Sequence, residues 1–109
     1  MDCKGEEGIR DTPKKLEFNY PGGQKLIGEV TKEVRKKLKA IDDSEYCFVI
    51  QLIETKKHPE GSTEPHIRFG YYKKSSGSNR FNWASRMTYH APLSLTKMLL
   101  KEAEEEGIL

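Results

Sequence analysis

This 109-residue chain is short of several things, and each shortage narrows what it can be. It has no long apolar run. The longest, Tyr46 to Ile53, has Gln51 inside it and falls far below the roughly 20 residues of a spanning helix, so no membrane partner is expected. No basic start leads into an apolar core, so no signal peptide is expected and the chain reads as cytoplasmic. Cysteine is limited to Cys3, in a polar terminus, and Cys47, in the most apolar segment. Two cysteines so placed make no disulfide framework and read as reduced thiols, Cys47 being a small core residue.

Chemistry-bearing motifs are equally sparse. His58, Glu60, Glu64 and His66 crowd one loop, but without a cysteine partner or a zinc-type spacing. Pro21-Gly22-Gly23-Gln24-Lys25 lacks the spacing of a phosphate-binding Walker loop, and no Ser–His–acid or Cys–His grouping is legible. Glu54-Thr55-Lys56 has the acid-x-lysine spacing of many metal-dependent nucleases. Those enzymes also need an Asp on an adjoining strand, and Asp43 opens the same strand about 33 Å away at strand rise. No cofactor, no metal and no catalytic residue is therefore assigned, and the chain reads as a binder rather than an enzyme.

Acidic residues are also missing from one long stretch. The net charge is only +2, yet residues 65–101 carry seven basic residues and no acid. These are Arg68, Lys73, Lys74, Arg80, Arg86, Lys97 and Lys101. Residues 102–109 carry four acids and no base, while residues 1–64 are nearly balanced. Such segregation marks an anion-binding surface.

What is present is periodic. Residues 1–13 are polar and read as a disordered lead-in to a single α+β domain over 14–109. Lys14 to Tyr20 alternates, as a half-buried strand does, and Pro21-Gly22-Gly23 ends it. Leu26, Val30, Val34 and Leu38, each four apart, predict an amphipathic helix over 24–40. Its outer face would carry Lys25, Lys32, Arg35, Lys36, Lys37 and Lys39. Asp42-Asp43-Ser44 turn the chain into an apolar strand over 46–53. A strand over 66–74, a loop over 75–79 and a strand from Arg80 to about Tyr89 follow. Ser94 is the expected N-cap of a last helix over 95–106, ended by Gly107. The fold class is α+β, with an antiparallel sheet and the order strand–helix–strand–strand–strand–helix.

On the hairpin, Phe69, Tyr71, Phe81 and Trp83 are expected on one face. Arg68, Gly70, Tyr72, Arg80, Asn82, Ala84 and Arg86 are expected on the other. Arginine and tyrosine stack on bases, and lysines meet phosphates. Arg68, Tyr72, Lys73, Lys74, Arg80 and Arg86 are thus the expected contacts of a nucleic-acid-binding module, single-stranded or structured. A second expectation is a homodimeric interaction subunit, because Cys47, Val49 and Ile53 would leave an apolar patch if both helices covered the opposite face. Metal-dependent nuclease activity ranks third and requires a second carboxylate near Glu54.

The run Ile67-Arg68-Phe69-Gly70-Tyr71-Tyr72, then Phe81-Asn82-Trp83 and the terminal helix, resembles a pattern in small prokaryotic proteins of unassigned function. The resemblance covers about the last 45 residues and implies no activity. A curved antiparallel sheet followed by a helix is also similar, in element order alone, to the whirly single-strand-binding domains, with an extra helix here before the main sheet.

Overall fold

A computed structural model describes residues 2–19, 21–57, 64–84 and 89–109. Five antiparallel strands stand in the order in which they occur in the chain, followed by one helix. They are β1 (Lys14–Asn19), β2 (Lys25–Lys39), β3 (Glu45–Lys57), β4 (His66–Lys74) and β5 (Asn82–Trp83), with α1 at Leu93–Glu105.

The expected helix over 24–40 is instead strand β2, so the chain contains one helix among the described residues rather than two. The reason is arithmetic. Residues four apart share a face in a strand as well as in a helix, so the apolar stripe alone does not separate the two. A β-bulge between Val30 and Lys32 then changes the parity. Before it, Val30 stands opposite Ile53; after it, Val34 stands opposite Ile50. The two halves of one stripe therefore feed the two faces of the sheet.

Each face has its own core. On the helix face, Val34, Phe48, Ile50 and Tyr71 pack beneath Leu99, Ala103 and Ile108. The helix begins after Pro92, so Ser94 lies in its first turn rather than at its cap. It ends as expected at Gly107. There Ile108 N–H donates to the Ala103 carbonyl at 2.8 Å and Gly107 N–H to the Glu104 carbonyl at 3.1 Å. These are the two bonds of a Schellman motif, and they return Ile108 to the core.

The opposite face is covered by the segment expected to be a disordered lead-in. Cys3 and Ile9 are buried there with Cys47, Val49, Tyr72 and Phe81. The charged side chains of β2 that a helix would have left in solvent hold this segment down. Arg35, fully buried, donates to the carbonyl oxygens of Cys3 at 3.2 Å and Arg10 at 3.0 Å. The Lys37 amide donates to the Asp2 carboxylate at 3.1 Å, and its ammonium to Glu6 at 3.0 Å. Further along, Phe81 N–H donates to the Glu7 carbonyl at 2.9 Å. The apolar residues that suggested a homodimer are therefore covered within the chain: Cys47 and Val49 are fully buried and Ile53 nearly so.

Candidate functional site

The N-terminal segment, β1, β2, β4 and β5 together line an open pocket of about 280 Å3. Register decides what it contains. Tyr72 stands opposite Trp83, and Lys73 opposite Asn82. Trp83 and Phe81 therefore share the face of Arg68, Gly70 and Tyr72, and not the opposite one as the sequence suggested. Ala84 packs with the helix-face core instead. This shift places aromatic rings and cations on the same wall.

The pocket's cations come from Arg10, Lys14, Lys15, Arg68 and Arg80, and its aromatics from Tyr72, Phe81 and Trp83. No Asp or Glu is among its described lining residues. Gly70 is small for an internal reason: a Cβ there would lie 2.2 Å from the Trp83 ring, so the indole itself occupies the space a side chain would take. Gly8 likewise lies against Phe81, where a Cβ would meet the Phe81 carbonyl oxygen at 2.0 Å.

Beneath the pocket runs a buried polar network centred on Glu33. Its carboxylate accepts from Lys14 at 3.1 Å, from Arg35 Nε and from the Gln51 amide. Lys14 also donates to the Tyr72 hydroxyl at 2.9 Å and to the Arg10 carbonyl at 3.1 Å. Gln51 passes the order outward. Its carbonyl accepts from Arg68 Nε at 2.7 Å, and the Arg68 guanidinium lies 4.2 Å from the centre of the Trp83 ring. Guanidinium over indole is a favourable cation–π arrangement. Tyr72 meets the same indole edge-on, with ring centres 5.0 Å apart. The aromatic and cationic wall is thus anchored from below, so little side-chain entropy remains to be lost when a ligand arrives.

Of the six expected contacts, Arg68, Tyr72 and Arg80 line the pocket. Lys74 does not: its ammonium pairs with Glu45 at 2.6 Å and lies over the Phe81 ring. Lys73 points to the helix face and lies over the Tyr46 ring. Arg86 falls outside the described residues, as do His58 and Glu60. The last strand, expected to reach about Tyr89, is described only as Asn82–Trp83. Arg10 is not among the expected contacts because its segment reads as a lead-in, and Lys14 is not because its strand, read as half-buried, gives no sign of where it docks. Ile9, the one sizeable aliphatic in a polar stretch, was the available sign that this segment docks.

Glu45 takes both Lys74 and Lys37, and these ammonium groups hold its carboxyl down at about 2. Lys37 is correspondingly raised by Glu6 and Glu45. Cys3 and Cys47 interact thiol to thiol. That hydrogen bond lowers the pKa of Cys3 and, together with burial, raises that of Cys47 well above the ordinary thiol value.

The cross-strand register also places Glu29 opposite Glu54, with Lys56 two residues on. A second carboxylate therefore stands near Glu54, but no group of three or more metal-ligating side chains occurs among the described residues. The helix-face groove beside Tyr46, Phe48 and Tyr71 has His90 and no Asp, Glu, Lys or Arg among its described lining residues. Comparison with family models, with characterised proteins and with solved structures gives no match for this chain.

Proposed function

We propose that this protein binds single-stranded nucleic acid through the pocket between its N-terminal segment and the β4–β5 hairpin. The observation that carries the reading is the lining itself: arginines and aromatic rings share one wall, with no carboxylate among the described lining residues. Phosphates are drawn to such cations, and unpaired bases stack on such rings. Duplex bases are already stacked on one another and cannot enter a cavity of about 280 Å3.

The test is fluorescence anisotropy with labelled single-stranded DNA, single-stranded RNA and duplex of the same length, over a range of salt. Single strands are expected to bind more tightly than duplex. Each phosphate neutralised at the pocket adds about −0.7 to the slope of log K against log salt. Arg80 is exposed, so Arg80→Ala leaves the fold intact and is expected to reduce that slope by about 0.7. Salt-independent binding, or an unchanged slope in Arg80→Ala, removes the reading.

A further inference from the structure

The pocket is too small for a run of strand and too mixed for a bare anion. Its volume, about 280 Å3, falls just below the 300–1,000 Å3 typical of small-molecule sites. One flat ring and one anionic group fill it. The structure supplies a partner for each. Tyr72 and Trp83 form an aromatic wall held by the Gln51–Arg68 brace, and guanidinium groups come from Arg10 of the N-terminal segment, which also donates to the Lys15 carbonyl at 3.2 Å, and from Arg80 in the β4–β5 connection. We infer that the site takes one unpaired nucleotide, its base against Trp83 and Tyr72 and its 5′-phosphate between Arg10 and Arg80. This rests on the single-strand reading above and narrows it to a footprint of one nucleotide.

Just outside the pocket's described lining, a carboxylate already pairs with one of these two guanidinium groups. Glu7 Oε1 lies 3.0 Å from Arg80 Nη1, with both side chains more than half exposed. The Glu7 backbone is fixed by its bond from Phe81 N–H, so its side chain is kept beside Arg80. Glu7 is thus a built-in competitor. A terminal phosphate monoester carries about −1.5 to −2 charge at neutral pH and three acceptor oxygens, so it competes with a single exposed carboxylate for Arg80, and does so better than the singly charged diester inside a strand. Of the other charged groups at the pocket, Lys14 is balanced by buried Glu33, and Arg68 is committed to Gln51 and Trp83.

The chain has one tryptophan, and it lines this pocket, so intrinsic fluorescence reports on the site without a label. The full chain is titrated with adenosine and uridine 5′-monophosphates, with the two nucleosides, with inorganic phosphate and with a short single-stranded oligonucleotide. The monophosphates are expected to change Trp83 emission to saturation, with nucleoside alone and phosphate alone each clearly weaker. Arg80→Ala is expected to weaken the monophosphates about ten-fold, as loss of one hydrogen bond to a charged group does. Glu7→Gln is expected to tighten them about two- to five-fold, the scale of an exposed ion pair. Inorganic phosphate binding as tightly as a monophosphate overturns the inference, since the rings would then do nothing. So does an unchanged affinity in Glu7→Gln. Oligonucleotide binding without mononucleotide binding overturns the one-nucleotide site but leaves the strand reading standing. Mononucleotide binding without oligonucleotide binding does the reverse, and binding of neither removes both.

Discussion

Replacing Glu33 with glutamine keeps the side chain's shape and removes its charge. The carboxylate is fully buried and faces Lys14 and Arg35, whose side chains are themselves 6% and 0% exposed. Without it, two cations stay in a low-dielectric interior with no buried counter-charge. Breaking a buried pair in this way costs about 3–5 kcal/mol. The lower end applies here, because neutral oxygens remain: Lys14 keeps the Arg10 carbonyl and the Tyr72 hydroxyl, and Arg35 keeps two backbone carbonyls. The exposed Asp11 carboxylate, 4.0 Å from Arg35, adds little.

A loss of about 3 kcal/mol is a large share of the 5–15 kcal/mol available to a domain. With a urea slope of about 1–3 kcal/mol per molar, the unfolding midpoint of Glu33→Gln falls by about 1–3 M. The assay is equilibrium urea unfolding followed by far-ultraviolet circular dichroism, and it needs a partner variant. Lys14→Met removes one of the two stranded cations. In the double variant the losses are expected to fall short of their sum by about 0.5–3 kcal/mol. A midpoint that barely moves in Glu33→Gln, or two single losses that simply add, would refute the account of Glu33 as the buried counter-charge of this face.

Four further outcomes follow from the same geometry. Gly70→Ala drives a methyl into the Trp83 ring, so it is expected to cost about 1–3 kcal/mol and to red-shift tryptophan emission as the indole is pushed outward; unchanged emission contradicts the packing. Glu54→Lys replaces a like-charge cross-strand pair with Glu29 by an opposite-charge one and is expected to raise stability by about 0.2–1 kcal/mol, read as a higher thermal midpoint. Glu45 is depressed in the folded state, so its stabilising pairing is complete above the ordinary carboxylate range and is lost as pH falls toward about 2; carboxyl-carbon NMR should find its midpoint there, and a midpoint near 4.5 sinks the Lys37–Glu45–Lys74 bridge. In alkylation followed by mass spectrometry, Cys3 is expected to react before Cys47, because local lifting of the N-terminal segment carries Cys3 into solvent while Cys47 stays on the central strand β3, still packed with Val49, Tyr72 and Phe81; equal rates count against that order.

The misread parts of the fold are connected by one cause. Reading β2 as a helix put Lys37 and Arg35 in solvent. That left residues 2–13 with nothing to bind, and so they read as a loose tail. In the fold, Arg35 and Lys37 are the groups that receive that tail. The apolar stripe at every fourth position is compatible with both structures, and what separates them lies elsewhere in the chain. A bulge is not legible in the stripe, and a buried arginine becomes plausible only once its carbonyl partners are known to arrive from 25 and 32 residues away. By contrast β4 was legible to the residue, because His66 to Lys74 alternates without a bulge and is bounded by proline before it and serine after it. The end of α1 was legible too, because glycine followed by an aliphatic residue is a local signal.

The same logic explains the site. Its basic character was readable, since an acid-free stretch is visible in composition alone. Its geometry was not, because the hairpin's pairing decides which side Trp83 takes, and one residue of slip reverses every side chain. Once Trp83 joins the face of Arg68 and Tyr72, three features that looked separate become one structure. The buried Glu33 network sets Gln51, Gln51 sets Arg68, and Arg68 lies on the ring that walls the pocket. The N-terminal segment, anchored by the same network through Arg35, brings Arg10 and Glu7 to the opposite side. Core charge and candidate binding surface are therefore not independent here. A substitution deep in the network should loosen the pocket before it unfolds the sheet, and the emission of Trp83 separates those two events from the circular dichroism of the strands.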